Sequence, residues 1–257
     1  MKAAFFSSPG PVRAENEDGL FLGETMVGRD MLAPEFVEID GHNALAAVAD
    51  GMGGGPGGRE AAFLVLTKLS ELTQAPLTDD GESLIAQNLK DAAKALTMVA
   101  QRNPALKQMG AVVAGLWLAG EKALAFNCGD SRVYRIREGF LDLLTKDHSL
   151  VYELYVNGQI KEEAMAGHPL KNILTSSIQD EAEAPQVFFR RTPLSFGDSF
   201  LICTDGVWDS ASRAELEGWA ALGPEEGSRL LAASLTKKAE DNCTFIWLYD
   251  EAPPPEG

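Results

Sequence analysis

The chain has 257 residues, 45% of them hydrophobic and 23% charged, and a formal net charge of -16 from 22 Lys and Arg against 38 Asp and Glu. That length and composition suit one large globular domain and exclude disorder as the default state. The acidic excess, with no basic cluster to offset it locally, argues against duplex nucleic acid as a partner.

The start, MKAAFFSSPGPVRAENED, is too short and too soon acidic for a secretory signal. No apolar run approaches the ~20 residues that span a bilayer, so a soluble, cytoplasmic protein is expected. Residues 45–49, 111–118, 122–127, 132–137, 187–191, 199–203 and 244–249 read as strands. Several are separated by short turns such as Ala119-Gly120-Glu121, which implies antiparallel neighbours. Two consecutive helices fall in the first half. One covers about 59–73; on the other, Ile85, Leu89, Ala92, Leu96 and Val99 recur every three or four residues, with Pro104 beyond its end. A shorter helix is expected at about 148–156, with Asp147 and Ser149 as capping groups. Another at about 225–239 puts Leu230, Leu231 and Leu235 on one face. Strand runs broken by pairs of helices indicate an α+β fold rather than a regular βαβ alternation. Residues 1–250 read as a single domain, and the EAPPPEG tail at 251–257 as frayed.

Cys128, Cys203 and Cys243 are odd in number and form no CxxC pair, so they read as buried free thiols. His42, His148 and His168 read as structural or solvated histidines, and Trp208 and Trp247 as packing aromatics.

The informative feature is where the acids sit. Asp50, Asp130 and Asp205 each follow a strand-like apolar run and stand beside glycine, in LAAVADGMGG, ALAFNCGDSR and FLICTDGVWD. Asp241 stands just before the strand TFIWLY, with two residues between, and a further acidic segment, RAENEDG, lies near the start. A single Asp-Gly at a strand end is most often a turn. Several carboxylates brought together by the ends of one sheet, however, repel one another unless divalent cations neutralise them. Oxygen donors without His or Cys suit Mg²⁺ or Mn²⁺ rather than Zn²⁺. Gly53, Gly55 and Gly58 also satisfy GxGxxG. A dinucleotide site is disfavoured there, because Asp50 has the wrong charge for a pyrophosphate and a second helix follows where a strand would be needed.

In order, RAENED, ADGMGGG, NCGDSR, LTKDHSLVYELYVNGQI with a later HPLKNILT, CTDGVWD and EDNCT resemble the metal-dependent serine/threonine protein phosphatases of type 2C, in their bacterial form. The resemblance runs from about residue 10 to 249. It implies an αββα sandwich of two antiparallel sheets flanked by helices, with two coupled Mn²⁺ or Mg²⁺ ions at one end and a possible third. By position it implies that Asp50 bridges two ions, that the Gly51 carbonyl serves the second, and that Asp205 and Asp241 serve the first. Glu17 and Asp18 fall to outer-shell or marginal ligands, and Asp130 to a third ion shared with Asp205. Arg13 falls to the substrate-phosphate clamp, where a guanidinium fork suits a phosphoryl group. A water held between the ions then attacks phosphorus directly, without a phosphoenzyme.

Met52 stands where many relatives outside bacteria carry a histidine assigned to protonating the leaving alcohol. A thioether donates no proton, which leaves the general acid to water of the metal site. Gly110-Ala111-Val112 replaces the family's usual Gly-Thr-Thr. A flap over the site is expected at about 157–186, and the 24–43 segment is expected to form an extended hairpin or loop near the substrate entrance. The resemblance further implies phosphoprotein partners, including a serine/threonine kinase whose action is opposed, and a monomer is expected. The alternative reading is a catalytically weak binding or scaffold module; retention of Arg13, Asp50, Asp205 and Asp241 together favours catalysis.

Overall fold

The computed structural model describes residues 1–39, 43–53, 56–74, 80–161, 164–165, 167–179 and 184–250. Two antiparallel sheets form its centre. The first runs in the order β4 (Glu35–Glu38), β1 (Lys2–Ser8), β13 (Cys243–Tyr249), β12 (Ser199–Cys203), β8 (Arg132–Arg137) and β9 (Phe140–Leu143). The second runs β11 (Phe188–Pro193), β7 (Lys122–Cys128), β6 (Gly110–Ala119), β5 (Asn43–Met52), β2 (Gly19–Leu22) and β3 (Thr25–Val27), with the short β10 (Ile178–Gln179) added to β6.

The period of two along β5 shows how the layers form. Ala44, Ala46 and Val48 join the core between the sheets, while Leu45, Ala47 and Ala49 join the core under α1 (Pro56–Ser70) and α2 (Gly81–Arg102). A strand covered on both faces reads as a continuous apolar run, which is why this one is legible in sequence. On the outer side of the first sheet, Leu216 of α5 (Arg213–Ala220) and Leu231, Ala232 and Leu235 of α6 (Pro224–Lys238) seal the fourth layer. The arrangement is the αββα sandwich that the motifs imply.

The expected helices are present with shifted ends. Helix α1 starts three residues earlier than expected, at Pro56, and gives way to a 3₁₀ turn at Glu71–Gln74. The helix expected at 148–156 is α3 (Leu150–Val156), capped by the Ser149 hydroxyl, which accepts from the Tyr152 N–H. Asp147 is not a cap: it is 3% exposed and holds the Arg132 guanidinium. Strands β1 to β4, β9 and β10, helix α5 and the helical turn at Asp205–Trp208 lie outside the expected elements.

The 24–43 segment is not one extended hairpin. Its first part forms the β2–β3 hairpin in the second sheet, with Leu22 opposite Thr25, and its later part adds β4 to β1 in the first sheet. Both elements turn away from the acidic end, and residues 28–32 are the stretch that returns there, where the Met31 N–H donates to the Ser7 carbonyl. Two half-paired sheet edges, β2 and β1, each offered this segment a ladder, which outweighs a free loop. His42 lies outside the described residues.

Candidate active site

The acids singled out in the sequence meet at one end of the two sheets, each brought there by a different local device. Asp50 and Gly51 are not in a turn: β5 continues through them to Met52, with Asp50 opposite Val112 and Gly51 opposite Ala111. Ladder pairing with β6 overrides the local Asp-Gly preference for a turn. Gly51 has no room for a side chain, since a Cβ there would overlap the carbonyl of Gly58 and approach the Glu17 carbonyl oxygen to 2.9 Å. Asp18 immediately precedes β2. Asp130 lies in the three-residue link that carries the chain from β7 in the second sheet to β8 in the first. Asp205 opens the four-residue α4 (Asp205–Trp208) just beyond β12, and Asp241 stands between α6 and β13.

A polar network fixes the segment that carries Glu17 and Asp18. The Thr204 hydroxyl donates to Asp18 Oδ2 at 2.9 Å and accepts from the Thr244 N–H. Asn16 Oδ1 accepts from the Asp18 N–H, while its amide donates to the Ser7 hydroxyl, which pairs with that of Thr244. Asn242 Oδ1 accepts from the Glu17 N–H at 2.9 Å, and its amide donates to the Glu15 carbonyl. These five residues, Ser7, Asn16, Thr204, Asn242 and Thr244, were not assigned from sequence. Asn16, Thr204 and Asn242 had adjacency as a signal, each standing within two residues of a motif acid, whereas Ser7 and Thr244 are brought together only by the pairing of β1 with β13.

The acids raise one another's affinity for protons. Burial and then the neighbouring charges of Asp18, Asp205, Asp130 and Asp241 push the Asp50 carboxyl well above the ordinary range. Burial is also the leading cause for Asp18, pushed up to about 8, and Asp130, pushed up to about 8, with Asp205 adding to both. Asp205 itself is pushed up to about 6 by burial and Asp241. Glu17 is raised by burial and the charge of Glu15. Arg13 Nη2 donates to Asp241 Oδ2 at 2.7 Å, in a pair whose side chains are 55% and 41% exposed.

Residues 24–243 match the family model for protein phosphatase 2C. The chain belongs to the protein phosphatase 2C family. It is 30% identical over 221 residues to the serine/threonine phosphatase stp of Listeria innocua, an alignment spanning 84% of this chain and 82% of that protein. The serine/threonine phosphatase of S. agalactiae superposes with a TM-score of 0.83 at 25% identity, covering 98% of this chain and all of that one. The catalytic domain of the serine/threonine protein phosphatase PstP, solved with two manganese ions, gives 0.77 at 25% identity, over 97% and 100% of the two chains.

The site of this phosphatase fits hard divalent cations on its own chemistry. Glu17 Oε1, Asp18 Oδ1 and Asp205 Oδ1 are buried oxygens with no hydrogen-bond partner, an arrangement that is costly unless a cation satisfies them. The Gly51 carbonyl oxygen and Glu17 Oε1 each lie 2.8 Å from where a Cβ on Gly58 would stand, so glycine at that position leaves the space between them open. Among the described residues, no three acidic, His or Cys side chains already converge as a closed ligand set. The Arg13–Asp241 ion pair is exposed and contributes only about 0–1 kcal/mol, so little holds Asp241 to Arg13.

The remaining expectations divide. Cys128, Cys203 and Cys243 are free and buried, and burial pushes each thiol up to about 12. His148 is structural: Nδ1 accepts from the Gly129 N–H, and burial holds the imidazole below its ordinary range. His168 Nδ1 accepts from the nearby Leu170 N–H. Trp247 is a core residue, 1% exposed, and Trp208 is a partly buried aromatic packed against the same core. In the 157–186 stretch, β10 pairs with β6 and Gln179 donates to the Met52 sulfur, so this stretch is rooted beside the site.

Proposed function

We propose that this chain hydrolyses phosphoserine and phosphothreonine on proteins, with Asp50, the Gly51 carbonyl, Asp205 and Asp241 holding two Mn²⁺ or Mg²⁺ ions. Asp130 shares a third ion with Asp205, Glu17 and Asp18 complete the surroundings of the pair, and Arg13 takes the substrate phosphate. The observation that carries this reading is the set of converging acids with three unpartnered buried oxygens, in a chain of the protein phosphatase 2C family.

Bound there, divalent cations supply charge neutralisation and a water of lowered pKa. The chain's own residues do the rest. Asp50, raised well above the ordinary range, feels the charges of Asp18, Asp205, Asp130 and Asp241 together, as a bridging ligand would. Arg13, freed from Asp241, offers two parallel N–H donors to phosphoryl oxygens. Asn16, Thr204 and Asn242 hold the Glu17–Asp18 segment so that its orphaned oxygens face inward. A cysteine nucleophile is excluded by chemistry, because thiols with pKa values pushed up to about 12 are not thiolates at neutral pH. Met52 accepts a hydrogen bond from Gln179 and has no proton to give the leaving alcohol.

Phosphate esters of protein hydroxyls arise by phosphoryl transfer from a nucleotide, so the reaction opposed is that of a serine/threonine kinase. No helix among the described residues is long and apolar enough to cross a membrane. A phosphothreonine peptide assayed with Mn²⁺ and then with excess chelator tests the reading. Turnover should require the metal, and full turnover in chelator would refute it.

A further inference from the structure

Asp130 lies in the link between the two sheets and Asp205 just beyond β12, and a brace of three side chains joins them. The Trp208 indole N–H donates to the Asp130 carbonyl oxygen at 3.1 Å, and Trp208 closes the single turn of α4 that Asp205 opens. The Arg132 guanidinium lies 3.7 Å from the centroid of the Trp208 ring. Arg132 is in turn gripped by buried Asp147, through Nε at 3.0 Å and Nη2 at 2.6 Å, and donates to the Tyr134 hydroxyl at 3.0 Å. On its other side the Gly129–Asp130 link is held by His148, whose Nδ1 accepts from the Gly129 N–H and whose backbone N–H donates to the Gly129 carbonyl.

Resting on the assignment of Asp130 and Asp205 to a shared cation, we infer that Trp208 is a positioning residue, whose indole N–H fixes Asp130 relative to Asp205 for that cation. A packing role alone does not account for the arrangement. Trp208 packs against the core but is only partly buried, the Arg132 guanidinium lies over its ring, and its one donor is committed to the backbone of a site acid. It also lines a cavity of about 510 Å³ that Asp130 and Asp205 share. The planar, delocalised guanidinium stacks on the indole while its edge serves Asp147, a combination Lys cannot reproduce. The ring is thereby clamped, so that its N–H points at one oxygen. Groups that orient metal ligands typically change metal affinity by 10–100-fold when removed.

Trp208→Phe keeps a ring on Arg132 and deletes the donor; Trp208→Tyr is the second variant if the first does not fold. Mn²⁺ binding by calorimetry, kcat against Mn²⁺ concentration, and the melting temperature in chelator are measured for each variant, alone and combined with Asp130→Ala. The expected result is that the weakest Mn²⁺ site loses affinity by about tenfold while the tight pair of sites is unchanged. The kcat deficit at low Mn²⁺ should then be restored at high Mn²⁺, KM should not move, and no further loss should follow in the Asp130→Ala background. Wild-type Mn²⁺ binding in the Trp208 variants, or a loss that adds fully to that of Asp130→Ala, overturns the positioning role. Wild-type Mn²⁺ binding in Asp130→Ala itself would instead remove the shared cation, and with it this inference, while leaving the phosphatase reading in place.

Discussion

Two sets of buried carboxylates in this molecule differ in what faces them. Asp147 and Asp198 are 3% and 4% exposed, and each receives a guanidinium through two nitrogens, from Arg132 and Arg137. Hydrogen bonding and charge from Arg137 hold Asp198 below the usual carboxylate range against the pull of burial. Asp18 and Asp130 are as deeply buried, at 1% and 9%, yet hydroxyls and other acids face Asp18, and at Asp130 the charge of Arg132 does not offset burial and the charges of Asp205 and Asp147. Burial is common to both sets, so it is not what marks a site. The absence of a paired side-chain cation is what does: a fold that leaves carboxylates together without one is less stable for it, and a bound divalent ion reverses the penalty.

The contrast can be broken most severely at its unpaired end. Asp50→Asn and Asp205→Asn should each lower kcat by at least about a hundredfold, the scale of removing one preorganised electrostatic group. The same changes should raise the melting temperature in chelator, since they remove a repelling charge without removing volume. Activity assays and thermal melts on one preparation decide this, and a variant that is both less active and less stable in chelator would contradict it. At the paired end, Asp198→Ala should do the opposite. It should lower stability by roughly 2 kcal/mol, less than the usual ~3–5 kcal/mol for breaking a buried pair because Arg137 is 44% exposed. Its kcat per folded molecule, measured after denaturant titration, should be that of the parent.

The two sets should also separate by pH. In the unfolded chain the site acids titrate near 3.8, whereas in the fold Asp205 is pushed up to about 6 and Asp18 and Asp130 to about 8. The folded state therefore binds more protons than the unfolded one between about pH 4 and 8, and stability falls as pH rises through that window. The melting temperature in chelator should decline from pH 5 to pH 8, and saturating Mn²⁺ should flatten the decline. Equal slopes with and without Mn²⁺ would show that these acids are not where the cations bind.

Arg13 belongs to neither set, being a surface cation that holds a site acid loosely. Arg13→Ala should raise KM for a phosphopeptide by about tenfold, the scale of one lost charged hydrogen-bond partner, with a smaller fall in kcat. An unchanged KM would leave the Asp241 pair as its whole role. The smallest effect is expected at residues 28–32, which among the described residues of the 24–43 segment return to the acidic end, where Leu32 is 99% exposed. Leu32→Ser should change turnover of a phosphoprotein by a few-fold at most and leave an aryl phosphate untouched; parallel loss on both would show that this stretch acts on the site itself.

Much of this molecule could be read without coordinates, and the reason is periodicity and order. Strands buried on both faces, such as β5 and β6, announce themselves as apolar runs, and α2 by its three-and-four spacing. The six motifs in series carried the family, because their order along the chain needs no geometry. Short edge elements were invisible: β3 and β4 have only three and four residues, and they exist because a neighbouring strand offers unpaired N–H and C=O groups. The Asp50-Gly51 dipeptide reads locally as a turn, and only pairing with β6 makes it extended strand. The same holds for the second halves of the polar contacts. Asp147 has the local features of a helix cap, and nothing in KDHS tells that Arg132, fifteen residues earlier, claims its carboxylate. Sequence by itself determined which residue types are available and in what order. The tertiary structure decided which acids face a cation and which face one another, because that depends on strand ends from two sheets meeting in space, an effect with no local signature.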